Sequence, residues 1–167
     1  MQFDRLSKKL ERIKNVSKRG VPVLDLFKLI ANQKEIWFEA YANIYSNEGA
    51  LTKGINDNTL DGFSDERADG IMSKLKSKEY RFIPARRVYI PKRTGNKKRP
   101  LGLPTGDDKL VQEVSRIVLE RIYEPIFSEN SHGFRPNRSC HTALEQVRKY
   151  WTGIKWFIEF DIKGFFD

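Results

Sequence analysis

The sequence changes its period between Arg81 and Pro104, where alternation replaces the helical spacing of the surrounding segments. The stretch "ARRVYIPK" places Val88 and Ile90 on one face and Tyr89 on the other, as in a β-strand. "RTGNKK" predicts a turn, and "RPLGLP" predicts a second short strand that its prolines confine to an edge. A β-hairpin set among helices predicts an α+β fold.

Helical spacing of apolar residues marks five other segments. The first begins at Phe3 and ends before Gly20, and its other faces carry Lys8, Lys9 and Arg12. The other four are expected over residues 24–45, from residue 65 after Ser64, from Asp107 and Asp108 as caps to Pro125, and from Ser139 as cap to Gly153. Residues 46–64 are dense in glycine, asparagine and aspartate, which predicts a loop.

The segment "KWFIEFDI" is apolar on both faces except at Glu159 and Asp161, which predicts a central strand of a sheet. An aspartate at the end of such a strand is costly to bury unpaired. A divalent metal would compensate its charge, because Mg²⁺ prefers hard oxygen ligands. The alternative role for Asp161 is an N-cap of the turn or helix that follows.

The formal net charge of +9 favours a polyanionic partner, either nucleic acid or an anionic membrane surface. No run of eighteen apolar residues is present, so we expect no segment that spans a bilayer. The one cysteine, Cys140, excludes an internal disulfide framework and suits a reducing compartment. We therefore expect a cytoplasmic protein.

The predicted hairpin concentrates positive charge. Its basic residues are Arg86, Arg87, Lys92, Arg93, Lys97, Lys98 and Arg99. At the tip of a stiff two-stranded element they would form an anion clamp, since arginine offers phosphate a planar fork of donors and lysine a compact charge. The alternative is a solvated edge strand whose charges prevent pairing with another chain.

The stretch "SHGFRPNRSCH" combines histidine, arginine and cysteine side chains. A zinc site is not expected, because one cysteine and two histidines in the whole chain do not readily supply four ligands. Cys140 is not expected to act as a nucleophile with His141, since neighbouring helical residues point about 100° apart. Arg135 and Arg138, on either side of Pro136, favour a rigid loop that contacts a phosphate backbone, with a plain surface turn as the alternative.

In order, "PARRVYIPKRTGNKKRPLGLPTGDDKLVQEVSRIVLERIYEPIFSENSHGFRPNRSCHTALEQV" and "WFIEFDIKGFFD" resemble the group II intron reverse transcriptases, the intron-encoded maturases. "YSNEGALTKGINDNTLDGFS" resembles the block that these enzymes carry ahead of the fingers motifs, and "WFEAYANIYSN" fits their amino-terminal extension. The resemblance implies part of a right-hand polymerase. Its parts would be a helical N-terminal extension at residues 1–45, fingers at residues 46–154 and the first palm strand at residues 155–167.

The resemblance also implies roles for residues of the palm. Asp161 matches the first catalytic aspartate and, with the backbone carbonyl of Ile162, would bind two Mg²⁺ ions. Phe166 matches the bulky sugar gate, and the backbone N–H groups around Phe165 and Phe166 would hold phosphate. Phe160 departs from the relatives, in which a small residue precedes the catalytic aspartate.

In the fingers, Lys92 and Arg99 match the residues that grip the triphosphate of a deoxynucleotide, and Arg135 lies in a segment that follows the template. Further contacts to RNA or template are expected from Arg86, Arg87, Lys97, Lys98, Arg138, Lys8, Lys9 and Arg12.

The implied function is that of a fragment of an RNA-directed DNA polymerase that also binds intron RNA and assists group II intron splicing and mobility. Expected partners are group II intron RNA, an RNA template with a DNA primer, and deoxynucleotides, with no membrane partner. Exposed apolar surface favours pairing of two copies.

One carboxylate cannot hold two metal ions, and the second palm motif is missing, so the chain by itself is expected not to copy RNA. Two other hypotheses stay open: an RNA-binding module of a maturase without catalysis, and a reverse transcriptase of the retron or phage-defence type.

Overall fold

A computed structural model describes residues 2–92 and 97–163, with side chains from Asp4 onward. The chain divides into two compact units, Met1–Ile126 and Phe127–Asp167. The described part of the first unit contains α1 (Gln2–Lys18), α2 (Leu26–Asn32), α3 (Lys34–Tyr45), α4 (Asp65–Lys76), β1 (Arg86–Pro91), β2 (Lys98–Leu103), α5 (Gly106–Tyr123) and a 3₁₀ turn (Glu124–Ile126). That of the second unit contains α6 (Cys140–Tyr150). Within these ranges no helix is both long and apolar enough to cross a bilayer.

Helix α5 is the centre of the core of the first unit. Its residues Leu110, Val114 and Val118 have no more than 1% of their surface exposed. They share one apolar cluster with residues of α1, α3 and α4, namely Leu6, Leu10, Ile36, Trp37, Ala40, Ala68, Ile71 and Met72. Burial of each large apolar side chain stabilises the fold by about 1.5–3 kcal/mol. α5 is therefore a fixed support for the hairpin that precedes it.

Residues 24–45 form two helices, so the single helix predicted from the sequence is wrong. Gln33, between α2 and α3, is extended (φ −109°, ψ 93°), and its N–H donates to Leu29 O at 3.2 Å. The break leaves carbonyl groups at the end of α2 without helical partners. The indole N–H of buried Trp37 donates to one of them, Ile30 O, at 3.0 Å, which compensates for the break.

Helix α5 begins at a different cap from the one predicted. Thr105 is the N-cap, with φ −69° and ψ 165°, and its Oγ1 accepts the N–H of Asp108 at 3.3 Å. Asp107 and Asp108 are instead the second and third helical residues. The assignment is wrong because threonine and aspartate are both good N-cap residues, and the sequence pattern allows either. Ser64 and Ser139 do cap α4 and α6 as predicted.

The hairpin is confirmed, with β1 and β2 antiparallel. Arg86 lies opposite Leu103, and Pro91 lies opposite Lys98. Exposed and half-buried positions alternate along β1, as the sequence predicts. Leu103 is followed after one residue by Thr105, so the hairpin leads directly into α5.

The strand predicted for "KWFIEFDI" is not formed, since residues 155–162 have no regular secondary structure. Trp156, Ile158 and Phe160 are at least 87% exposed. A strand exists only where its backbone pairs with a neighbouring strand. Among the described residues, β1 and β2 pair with each other and with no third strand.

Candidate nucleic-acid interface

The hairpin displays its basic side chains without acidic residues of its own. Residues 86–103 contain seven lysine or arginine residues and no aspartate or glutamate. The described basic residues are all exposed, namely Arg86, Arg87, Lys92, Lys97, Lys98 and Arg99. Within the described ranges none of these six forms an ion pair, and Arg86 alone makes a side-chain hydrogen bond. The positive charge is therefore accessible to phosphate groups from solvent.

The strand register places these side chains on two faces. Arg99 lies opposite Ile90, and Lys92 follows two residues after Ile90, so Lys92 and Arg99 lie on one face of the hairpin. Lys92 N–H continues the pairing by donating to Lys97 O at 2.9 Å. The centre of the predicted turn, residues 93–96, lies outside the described residues. Arg87 and Lys98 lie on the opposite face. The register thus brings together the two residues predicted to grip a triphosphate.

The loop at residues 46–64 is held through its carbonyl groups by cationic side chains. Arg86 donates to Lys53 O from Nε at 3.2 Å and from an NH2 group at 2.8 Å. Lys109 Nζ on α5 donates to two loop carbonyls, at 2.8 and 2.9 Å. Burial lowers the pKa of Lys109. Arg86 therefore joins the hairpin to the loop, a role that the sequence did not indicate.

Arg67 on α4 holds the same loop and was not predicted as a site residue. Its guanidinium donates to Asp107 Oδ1 at 2.8 Å, to Asp61 O at 2.9 Å, to Thr59 O at 2.6 Å and to Asn58 Oδ1 at 3.1 Å. Only 17% of its side chain is exposed. An arginine on an amphipathic helix gives no sequence signal of such contacts, since one partner lies 40 residues away.

The loop also contacts the start of α5 backbone to backbone. Gly106 N–H donates to Asn58 O at 2.9 Å. A Cβ atom at Gly106 would lie 2.1 Å from Thr59 O, which is inside van der Waals contact. Glycine is required here because the two backbones approach too closely for any side chain.

Asp108 connects both ends of the hairpin to α5. Its Oδ2 accepts the hydroxyl of Thr105 at 2.8 Å and the N–H of Ile83 at 3.2 Å, and its Oδ1 accepts the hydroxyl of Tyr80 at 2.8 Å. Asp108 is 1% exposed. Burial, followed by the hydrogen bond to Asp108, raises the pKa of Tyr80.

The three basic residues predicted as RNA contacts on α1 differ in their surroundings. Lys8 forms an ion pair with Asp4 at 2.9 Å, and Lys9 donates to Gln33 Oε1. Arg12 is exposed, and the described residues offer its side chain no hydrogen bond or ion pair. Exposed ion pairs are weak, at about 0–1 kcal/mol, so Lys8 can exchange Asp4 for a phosphate group at small cost.

In the second unit, Arg135 and Arg138 are engaged within their own loop. Arg135 donates to Ser128 O at 2.9 Å and to Ser131 O at 2.8 Å. Arg138 pairs with Glu129 at 2.5 Å, and this hydrogen bond lowers the pKa of Glu129. Both arginines therefore shape the loop, and the template contact predicted for them stays a prediction.

His132 ties this loop to α6. Its ring nitrogens lie 2.8 Å from Thr142 Oγ1 and 2.6 Å from Gln146 Oε1. Thr142 also completes the capping box with Ser139. The histidine thus has a structural role in the second unit.

Asp161 lies in the irregular segment of the second unit and is exposed. Its Oδ1 accepts the N–H of Ile162 at 2.9 Å. The described ranges contain no group of three or more histidine, cysteine, aspartate or glutamate side chains that could hold a metal ion. Asp161 and the Ile162 carbonyl therefore do not by themselves form a two-metal site. Phe165 and Phe166 lie outside the described residues.

Part of the chain matches the model of a known protein family. Residues 90–167 match the family described as reverse transcriptase (RNA-dependent DNA polymerase). This segment includes the cationic residues from Lys92 to Arg99 and the candidate metal ligand Asp161.

The similarity to individual proteins is more specific. The chain is 50% identical over 160 residues to the group II intron-encoded protein LtrA of Lactococcus lactis subsp. cremoris, covering 95% of this chain and 26% of LtrA. It is 45% identical over 168 residues to an uncharacterized 91 kDa protein in the cob intron of Schizosaccharomyces pombe, covering 99% of this chain and 20% of that protein. It is 38% identical over 165 residues to a putative COX1/OXI3 intron 2 protein of Saccharomyces cerevisiae, covering 99% and 19%.

These matches confirm the resemblance to group II intron-encoded reverse transcriptases. The chain spans about a quarter of the length of LtrA and less of the two yeast proteins.

Proposed function

We propose that this chain forms the fingers and first palm segment of an RNA-directed DNA polymerase that also binds group II intron RNA and assists intron splicing and mobility. The acid-free hairpin, with Lys92 and Arg99 on one face, carries the proposal. Phosphate contacts of this kind supply most of the affinity of a protein for nucleic acid. The extension, fingers and palm would occupy residues 1–45, 46–154 and 155–167.

The partners proposed for the whole protein are intron RNA, an RNA template with a DNA primer, and deoxynucleotides. Mg²⁺ would bind at Asp161 and the Ile162 carbonyl and would stabilise the charge that develops in nucleotidyl transfer. Because the described residues supply one carboxylate at this place, we assign no catalytic step to the chain alone. The exposed apolar side chains of the second unit, such as Trp156, are where pairing of two copies would occur.

The binding part of the proposal is tested by titrating a labelled single-stranded RNA with the 167-residue chain at several salt concentrations. The variant Lys97→Ala/Lys98→Ala/Arg99→Ala should bind at least about tenfold more weakly at 0.15 M salt. The slope of log Kd against log salt should fall by about 2, from the loss of three phosphate contacts at about 0.7 each.

The matched control removes three exposed charges that are not part of the hairpin, in Lys76→Ala/Arg148→Ala/Lys149→Ala. Equal losses of affinity and slope in the two triple variants would show that net charge alone drives binding and would contradict the role of the hairpin.

The catalytic part is tested by primer extension with Mg²⁺. The 167-residue chain should not extend a primer, because its described residues supply one carboxylate at the candidate metal site. A chimaera in which this chain replaces its matched segment of LtrA should synthesise DNA from an RNA template, and Asp161→Ala should abolish that synthesis.

The second candidate function is an RNA-binding module without catalysis, which requires only the exposed basic side chains of the hairpin. A chimaera that binds RNA with the affinity of LtrA but does not extend the primer, while LtrA itself does, would establish this alternative and overturn the polymerase assignment.

A further inference from the structure

Two segments of the chain connect the hairpin to the helical body, one before β1 and one after β2. Both segments donate hydrogen bonds to the same buried side chain. Before β1, the chain passes Tyr80 and Ile83, and after β2 it passes Thr105. All three groups donate to Asp108, at 2.8, 3.2 and 2.8 Å. Asp108 lies in the first turn of α5, whose apolar side chains lie in the core. A single carboxyl group therefore links both ends of the hairpin to the helix at the centre of the core.

We infer that Asp108 is a positioning residue for nucleic-acid binding, which sets the direction in which the cationic hairpin leaves the helical body. The inference rests on the proposed function of the hairpin and adds a residue that contacts no phosphate. Asp108 is too deeply buried for such contact.

The chemistry of the group supports this role. Its two oxygens have three donors from three separate points of the chain, so no donor is left unsatisfied at the hairpin base. Loss of one acceptor would leave a buried donor without a partner, which the hairpin base can relieve by shifting. A hairpin free to reorient must lose that freedom when it binds RNA, and the affinity falls accordingly.

The alternative explanation is that Asp108 contributes to helix capping and stability alone. A further contact between hairpin and body, from Arg86 to Lys53 O, is exposed to solvent and lies on a loop. It does not replace the buried group, because exposed polar contacts contribute little stability.

Spin-label distances in the 167-residue chain separate the two explanations. Labels at Tyr89→Cys on β1 and Gln112→Cys on α5, in a Cys140→Ser background, report the direction of the hairpin relative to the body. Asp108→Asn keeps the size of the side chain but replaces one acceptor oxygen with a donor. It should broaden the distance distribution and weaken RNA binding by roughly tenfold, with helix content unchanged.

Tyr80→Phe removes one of the three donors and should produce a smaller change of the same kind, roughly two- to threefold in RNA affinity. Asp65→Asn, in the first turn of α4, is the matched control for the loss of an acid at a helix start and should leave both measurements unchanged.

The inference is overturned if Asp108→Asn lowers the urea midpoint while the folded protein keeps the original distance distribution and RNA affinity. If Asp108→Asn does not fold, Tyr80→Phe decides, and an unaltered distribution in that variant rejects the positioning role. Failure of the proposed function gives a different result: the triple alanine variant of the hairpin would then bind RNA normally, whatever the distances show.

Discussion

The two units of the chain differ in how deeply their polar contacts are buried. In the first unit a continuous core fixes the helices, and buried polar groups such as Asp108 join the hairpin to that core. In the second unit no described residue is fully buried, and Arg135, Arg138 and His132 hold a loop through hydrogen bonds accessible to water. Such hydrogen bonds contribute about 0.5–1.5 kcal/mol each. The geometry of the first unit is thus set by burial, and that of the second by weaker local contacts.

The largest expected effect on the free energy of unfolding comes from comparing one leucine in each unit. Leu110→Ala empties a fully buried position on α5 and should lower the free energy of unfolding by about 2–5 kcal/mol. Leu144→Ala on α6, where the side chain is 64% exposed, should change it by less than about 0.5 kcal/mol. Urea unfolding followed by circular dichroism measures both. Equal effects would show that the second unit also folds around a core.

A glycine in each unit provides the next test. Gly106→Ala would place Cβ against Thr59 O and should cost about 1–3 kcal/mol or more, since neither backbone can move freely. Gly133→Ala has open space at Cβ and should cost less than about 0.5 kcal/mol. The same urea titration applies. A tolerated Gly106→Ala would mean that the loop at residues 46–64 moves away from α5 at little cost.

The smallest expected effect is the loss of folding stability at high pH that follows from the ionisation of Tyr80. Its raised pKa means that the folded state retains the phenol proton after the unfolded state loses it. The stabilisation is therefore complete below about pH 10 and declines above it, by at most about 1.4 kcal/mol per pH unit. The stability difference between wild type and Tyr80→Phe should be about 1 kcal/mol at pH 7 and should shrink by pH 11.

Thermal unfolding at pH 7, 9, 10 and 11 follows this difference. Tyr150→Phe, in the second unit, is the control for the loss of a hydroxyl group. A constant difference between wild type and Tyr80→Phe across this range would contradict the raised pKa of Tyr80.

Local features of the fold were predictable from the sequence because their causes are local. Ser64 and Ser139 cap helices through hydrogen bonds within three residues, and the hairpin follows from alternation and a turn. The break at Gln33 had no such signal, because no glycine or proline marks it and its compensating contact comes from Trp37. The strand predicted at residues 155–162 depends on partner strands, which a local pattern cannot supply.

The candidate site divides in the same way. The basic residues of the hairpin could be identified from composition and resemblance. The residues that hold the hairpin and the adjoining loop in place could not, since Asp108 and Arg67 act through partners between 3 and 40 residues distant, on four different segments. A buried acid at a helix start is indistinguishable in the sequence from an exposed cap.

The loop at residues 46–64 is held through its main chain, because the side chains of Arg67, Lys109 and Arg86 donate mostly to its carbonyl oxygens. Every amino acid carries a carbonyl oxygen, so the backbone conformation of the loop depends little on the identity of its outward-facing side chains. Substitutions at exposed positions such as Ile55 and Asp57 would therefore change what the loop binds without changing its backbone conformation.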